Sequence, residues 1–283
     1  MESHLEFNEL CLDMKKQVLS FCDHVTLGVV SQTSKEMKKL IINETEDMRI
    51  KRYVQERLMR ITLEELFIES CREGREIIVR HLLSDKRMDP TTDNNMPLRV
   101  SCGSGHVEIV KLLLSEERVD PTSVVNYSIR VASARGHSEI VKLLLRDDRV
   151  TPNVFDNIAL RDACTNGHHK VVEILLSDPR VDPSSKGNSA IQLASERGHT
   201  KIVEILLSDP RVDPTENGND ALHAAIEGFH TEIVELLLSD PRVDPCEENN
   251  CAIFIAYEFE NKKIIDLLLD KARKLYPDFV MIR

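Results

Sequence analysis

The chain has 283 residues, of which 41% are hydrophobic and 30% charged, so it belongs with folding rather than disordered sequences. Its length suits one extended array or two ordinary domains. The net charge is −11, and residues 1–60 are balanced with ten Lys/Arg and ten Asp/Glu, so the whole acidic excess falls on 61–283. A protein that tracks nucleic-acid phosphates carries the opposite sign, which speaks against that class. Aromatic residues make up only 4% and Trp is absent, so the core must come from Leu, Ile, Val and Ala. No apolar run approaches the roughly 18 residues that span a bilayer, so no membrane role is expected. The first residues, MESHLEFNEL, lack the basic-then-apolar order of a secretory signal. Seven Cys without a CxxC pair point to a reducing compartment, and the cytoplasm or nucleus is the expected location.

In chain order, residues 1–45 come first as a small helical module. CLDMKKQVLSFCDHVTLGVVSQTSKEMKKLI holds three helical stretches, at 14–21, 26–30 and 35–42, with apolar residues spaced for a small cluster. So short a segment buries little core and needs a partner or a neighbouring domain. The order L-x5-V-L-S-F-x-D, followed by Leu27, Val30, Ser31 and Ser34-Lys35, is similar to the F-box. That resemblance implies docking on the small adaptor subunit of cullin–RING ubiquitin ligases through Leu12, Val18, Leu19, Phe21, Leu27 and Val30. The chain departs from the F-box pattern in two places: Asp13 stands where a Pro usually follows, and Met37 replaces a frequent aromatic. The alternative reading is an N-terminal helical cap. Residues 46–61, EDMRIKRYVQERLMRI, read as a bridging helix with Arg49, Lys51, Arg52, Arg57 and Arg60 in solvent.

From residue 62 to 270 the chain has a period of 31. Asp-Pro or Thr-Pro starts at Asp89, Asp120, Thr151, Asp182, Asp213 and Asp244, and Gly-His recurs at 105, 136, 167 and 198. An apolar triplet follows in phase, and seven units fit. Within one unit, SAIQLASERG places Ala190, Ile191, Ala194 and Ser195 on one helical face, with Gly198 as a left-handed cap. A second helix is expected from Thr200, its N-cap, carrying Ile202, Val203, Ile205, Leu206 and Leu207. The hexapeptide DPRVDP, at 178–183, 209–214 and 240–245, reads as punctuation. Its first proline stops the helix, its Val pins the linker to the core, and its second Asp-Pro turns the chain toward the next unit. The degenerate copies EERVDP and DDRVTP keep Arg, Val and the last Pro, which marks those three as the parts that stacking requires.

Segments such as MPLRVSCGSGHVEIVKLLL and DALHAAIEGFHTEIVELLL resemble the ankyrin repeat, over about 210 residues and in seven in-phase copies. The resemblance implies an all-α solenoid of helix-turn-helix units that binds protein partners on a concave face lined by loop tips and first helices. Units this short, joined by DPRVDP, look like the arrays of large DNA viruses of amoebae and of some protists; for such a source the compartment would be the host cytoplasm. At the far end Phe229 and Glu260 stand at the Gly phase, Asn261 is expected to take the strained turn, and 271–283 reads as a polar closing segment. A monomer is expected.

Repeat phase also sorts the candidate chemistry. Cys71, Cys102 and Cys164 share one phase with Ser133 and Ser195, which reads as a small-residue packing slot rather than a ligand set. The in-phase His106, His137, His168 and His199 read as donors to loop carbonyls. No P-loop, GxSxG or HExxH is present, so neither an enzyme nor a cofactor is expected. The expected tips are 92–94, 123–125, 154–156, 185–187, 216–218 and 247–249. Val124, Val125, Val154 and Phe155 put apolar side chains there, which reads either as a contact site or as Phe155 folding back. Arg99, Arg130 and Arg161 form a ladder across first helices expected to lie about 8–10 Å apart. They could read acidic side chains of a partner, but hydrogen bonding to the preceding loop is the favoured role.

Overall fold

The computed structural model describes residues 46–279, and these fall into two units divided after Arg60. In the first, α1 spans Glu46–Leu58. Arg49, Lys51, Arg52 and Arg60 are exposed, whereas Arg57 is half-buried rather than solvated as expected.

The second unit holds seven helix pairs among the described residues and no strand: α2 (Leu63–Glu73) with α3 (Glu76–Leu83), α4 (Thr92–Ser104) with α5 (Val107–Leu114), α6 (Ser123–Ala134) with α7 (Ser138–Leu145), α8 (Val154–Thr165) with α9 (His169–Leu176), α10 (Ser185–Glu196) with α11 (Thr200–Leu207), α12 (Glu216–Glu227) with α13 (Thr231–Ser239), and α14 (Glu247–Glu258) with α15 (Lys262–Leu275). Each first helix packs on the first helix of the next pair, and each second helix on the next second helix. The all-α solenoid of helix-turn-helix units that the resemblance implies is therefore the fold of this unit.

The second helices are mostly eight residues, about two turns, too short to hold alone. What holds them is an apolar stripe such as Ile140, Val141 and Leu144, or Ile202, Val203 and Leu206, all of which are buried. Each such side chain contributes roughly 1.5–3 kcal/mol. Ala190, Ile191, Ala194 and Ser195 are buried on the first helix as the spacing predicts. Cys71, Cys102 and Cys164 are buried in the same slot as Ser133 and Ser195. Burial pushes the Cys71 thiol up to about 12 and raises the other two as well, so all three remain thiols and not nucleophiles.

Three sets of side chains bolt one unit to the next. The His rings do so as expected: Nε2 of His106, His137, His168, His199 and His230 donates to the carbonyls of Arg72, Gly103, Ala134, Thr165 and Glu196, at 2.9–3.1 Å. The linker arginines form the second set. Arg211 holds the Asp209 carboxylate with Nε and Nη2 and donates from Nη1 to the Val181 carbonyl, one unit back, at 2.8 Å. Arg149, Arg180 and Arg242 reach the carbonyls of Val119, Val150 and Val212 in the same way. That bond accounts for the Arg kept in the degenerate DDRVTP, whereas Arg118 of EERVDP reaches back to the Asp89 carboxylate at 3.5 Å instead. Its neighbours Val181, Val212 and Val243 are buried, as the pinning role requires.

The third set was not singled out from the sequence. An Asn recurs at 95, 126, 157, 188, 219 and 250, each backbone left-handed. Oδ1 of Asn95, Asn126, Asn157 and Asn188 accepts the N–H of Asp120, Thr151, Asp182 and Asp213, 25 residues on, at 2.9–3.2 Å. The linker's second Asp then turns the chain by accepting from the backbone and hydroxyl two residues later, as Asp213 does from Thr215.

Several boundaries differ from expectation. Thr200 is not the N-cap but the first helical residue; His199, with φ −89° and ψ 71°, holds the cap position. Phe229 and Glu260 themselves take positive φ, 59° and 52°. Asn261 does not: it stays at φ −83° and caps α15 by accepting from the Ile264 N–H. No Asp-Pro follows Leu269 at the linker phase and the next proline is Pro277, so α15 runs on through Leu275, past the expected end of the array at 270. There Lys271 Nζ donates to the Leu238 and Asp240 carbonyls, and the Tyr276 hydroxyl donates to Asp244.

The linker pairs make the array acid-sensitive. Arg87, Arg149, Arg180, Arg211 and Arg242 hold the carboxyls of Asp85, Asp147, Asp178, Asp209 and Asp240 below the usual carboxylate range, Asp85 from 3.8 to about 2. A depressed carboxyl stabilises the fold above its unfolded pKa, and that contribution is lost as pH falls through the folded value. Urea midpoints are expected to decline as pH drops below about 4, and the triple variant D178N/D209N/D240N should show a shallower decline.

Candidate functional site

The expected tips are not open loops. In units 2 to 6 each first helix begins with three consecutive left-handed residues, φ between 49° and 72°, ending on the ladder Asn. The turn closes by bonds such as Asn126 N–H to the Thr122 carbonyl, 2.7 Å, and Asn188 N–H to Ser184, 2.9 Å. Left-handed geometry suits Gly and Asn and costs other L-residues roughly 1–2 kcal/mol each. Most tips respect this with Asp93-Asn94, Gly187 or Asn217-Gly218.

Unit 3 does not. Its left-handed pair is Val124-Val125, β-branched residues for which positive φ is a strong outlier. Burial does not offset the strain, because the two are 45% and 52% exposed. Phe155, left-handed in unit 4, is 55% exposed, while Val154 beside it is half-buried. Phe155 does lean back on the preceding unit: the Arg130 guanidinium lies 5.2 Å from its ring centre. Phe155 therefore folds back on its neighbour while more than half of it stays open to solvent.

The arginine ladder divides. Arg99 donates from Nε to the Asn94 carbonyl at 3.1 Å and from Nη2 to Asp93 at 2.8 Å, bracing its own left-handed turn. Arg161 does the same to Phe155 and Asp156. This is the loop-supporting role favoured from the sequence. Arg130 instead lies between the rings of Tyr127, at 5.9 Å, and Phe155, and its buried Nε has no hydrogen-bond partner. Arg99 also faces Tyr127, at 5.7 Å. Arg99, Tyr127, Arg130 and Phe155 thus alternate cation and ring across three units. Partial burial raises the Asp162 carboxyl, while Arg130 and Arg161 pull it down.

Beside this row lies a cavity of about 280 Å³ lined by Arg72, Arg99, Arg135, Met96, Tyr127 and Val131, among others. Arg72 and Arg135 were not foreseen. They come from different phases, so no periodic signal connects them; stacking alone brings them together. No group of three His, Cys, Asp or Glu that could hold a metal occurs among the described residues, and no described helix is long and apolar enough to cross a membrane. The F-box-like Leu12, Val18, Leu19, Phe21, Leu27 and Val30 lie outside the described residues.

A family model described as "Ankyrin repeats (3 copies)" matches residues 66–156, 129–217 and 208–278. No curated protein matches the chain.

Proposed function

Because the chain belongs to the ankyrin-repeat family, a family of non-catalytic protein-interaction scaffolds, we propose that it is a recruiting adaptor: the tip-and-first-helix face selects a target protein, and residues 1–45 couple that target to a cullin–RING ubiquitin ligase. One observation carries the first half. Val124 and Val125 hold a strained backbone and are exposed, so neither packing nor conformational preference accounts for valine there. Strain of this kind persists where a contact makes use of it. Phe155 and Arg130 continue the same surface, with Arg99 and Arg161 holding its turns in shape.

Support for the second half is the similarity of residues 12–35 to the F-box, joined in one chain to an array that presents a binding face. The adaptor subunit should be captured by the full chain and lost on Leu19→Asp with Phe21→Asp, while the melting temperature of the array stays unchanged. Absence of capture by the intact chain overturns the coupling role and leaves a scaffold.

A further inference from the structure

We propose that the partner of this face is an acidic peptide segment, whose Asp or Glu carboxylate enters the Arg72–Arg99–Arg135 cavity while an adjacent apolar side chain rests on Val124, Val125 and Phe155. The inference rests on the face being the binding surface and adds the chemistry of what it binds.

Charge pairing distinguishes these arginines from those of the linkers. The linker arginines 87, 149, 180, 211 and 242 are each neutralised by an Asp two residues back, at 2.6–2.7 Å. Arg72, Arg99, Arg130, Arg135 and Arg161 make no ion pair within 4 Å among the described residues. Arg99, Arg135 and Arg161 donate to backbone carbonyls instead, as Arg135 Nη1 does to Gly103 at 3.3 Å. The segment 61–283 carries an acidic excess of eleven charges, yet no carboxylate lines the cavity. Guanidinium groups without a carboxylate partner, half-buried at Arg99 and exposed at Arg72 and Arg135, favour a carboxylate from outside, which accepts two parallel N–H bonds.

Size and shape agree. The cavity volume lies just below the roughly 300–1,000 Å³ of small-molecule sites, so it takes one side chain rather than a whole ligand. Tyr127 and Met96 supply apolar wall for the methylenes of that side chain. The exposed apolar tips lie in the same unit as Tyr127 and in the next, so an extended peptide running along the stack meets both surfaces.

The test is selection of a random peptide display library on the full-length protein, with Arg72→Gln, Arg135→Gln and Val125→Asp variants whose melting curves match the parent. Enrichment of Asp or Glu beside an apolar residue is expected. Synthetic peptides so selected should bind about tenfold or more weakly to the two Arg variants, weaken with added salt, and lose affinity when their acid is amidated. Peptides lacking acids whose binding falls with Val125→Asp but not with the Arg variants would overturn this inference and leave the face as the binding site. No enrichment, or loss of binding in none of the variants, overturns both. Tight binding of single-stranded RNA or inorganic phosphate that depends on Arg72 and Arg135, in place of peptide, also overturns the inference.

Discussion

Gly136→Ala is expected to destabilise the array by about 2–4 kcal/mol, although it adds one methyl group. Gly136 closes α6 at φ +77°, and an alanine there pays the left-handed penalty of roughly 1–2 kcal/mol. The new Cβ would also stand 2.6 Å from Nδ1 and 2.8 Å from Cε1 of His168 in the next unit. That ring cannot retreat without breaking its 3.1 Å bond to the Ala134 carbonyl, worth about 0.5–1.5 kcal/mol. The effect should appear as a lower urea midpoint at unchanged slope. In a His168→Ala background the same substitution should cost only its backbone part, and a double-mutant cycle reads the difference. A cost below about 1 kcal/mol for the single variant would mean that the ring does not sit against Gly136.

Asn188→Ala is the second large effect, at about 2–4 kcal/mol. Asn188 is buried with φ 52°, and its Oδ1 takes the Asp213 N–H at 2.9 Å. Removing the amide strands that N–H beneath the linker, for roughly 1–3 kcal/mol, and forces alanine into left-handed backbone. Asn188→Gly separates the two terms: it loses the bond but adopts the turn freely, so it should be milder by about 1 kcal/mol. Equal costs would show that the turn itself carries no strain. Because each unit leans on its neighbours, the same pair of variants at Asn157 should give similar values.

Much of this was legible because the chain repeats itself. A residue that recurs every 31 positions faces the same surroundings each time, so phase alone identified the buried Ala and Leu stripes, the capping Gly and the carbonyl-bonding His. The Asn ladder was equally periodic and was passed over, because Asn in a loop reads as ordinary turn chemistry until its partner 25 residues away is known. The boundary errors at Thr200 and Asn261 have a local cause. Cap positions depend on one residue's φ and ψ, and several residue types satisfy the same pattern.

What the sequence determined by itself was therefore the repeating part: helix pairs, their order, and the linkers that stop and turn them. It does so because short helices that cannot stand alone have one way to bury a shared apolar stripe. Only the tertiary structure decided the parts that break the repeat. Arg72 and Arg135 share no phase, yet stacking places both on one cavity wall, and the row of Arg99, Tyr127, Arg130 and Phe155 exists only where three units meet. A contact between units depends on distance in space, which period and composition do not encode.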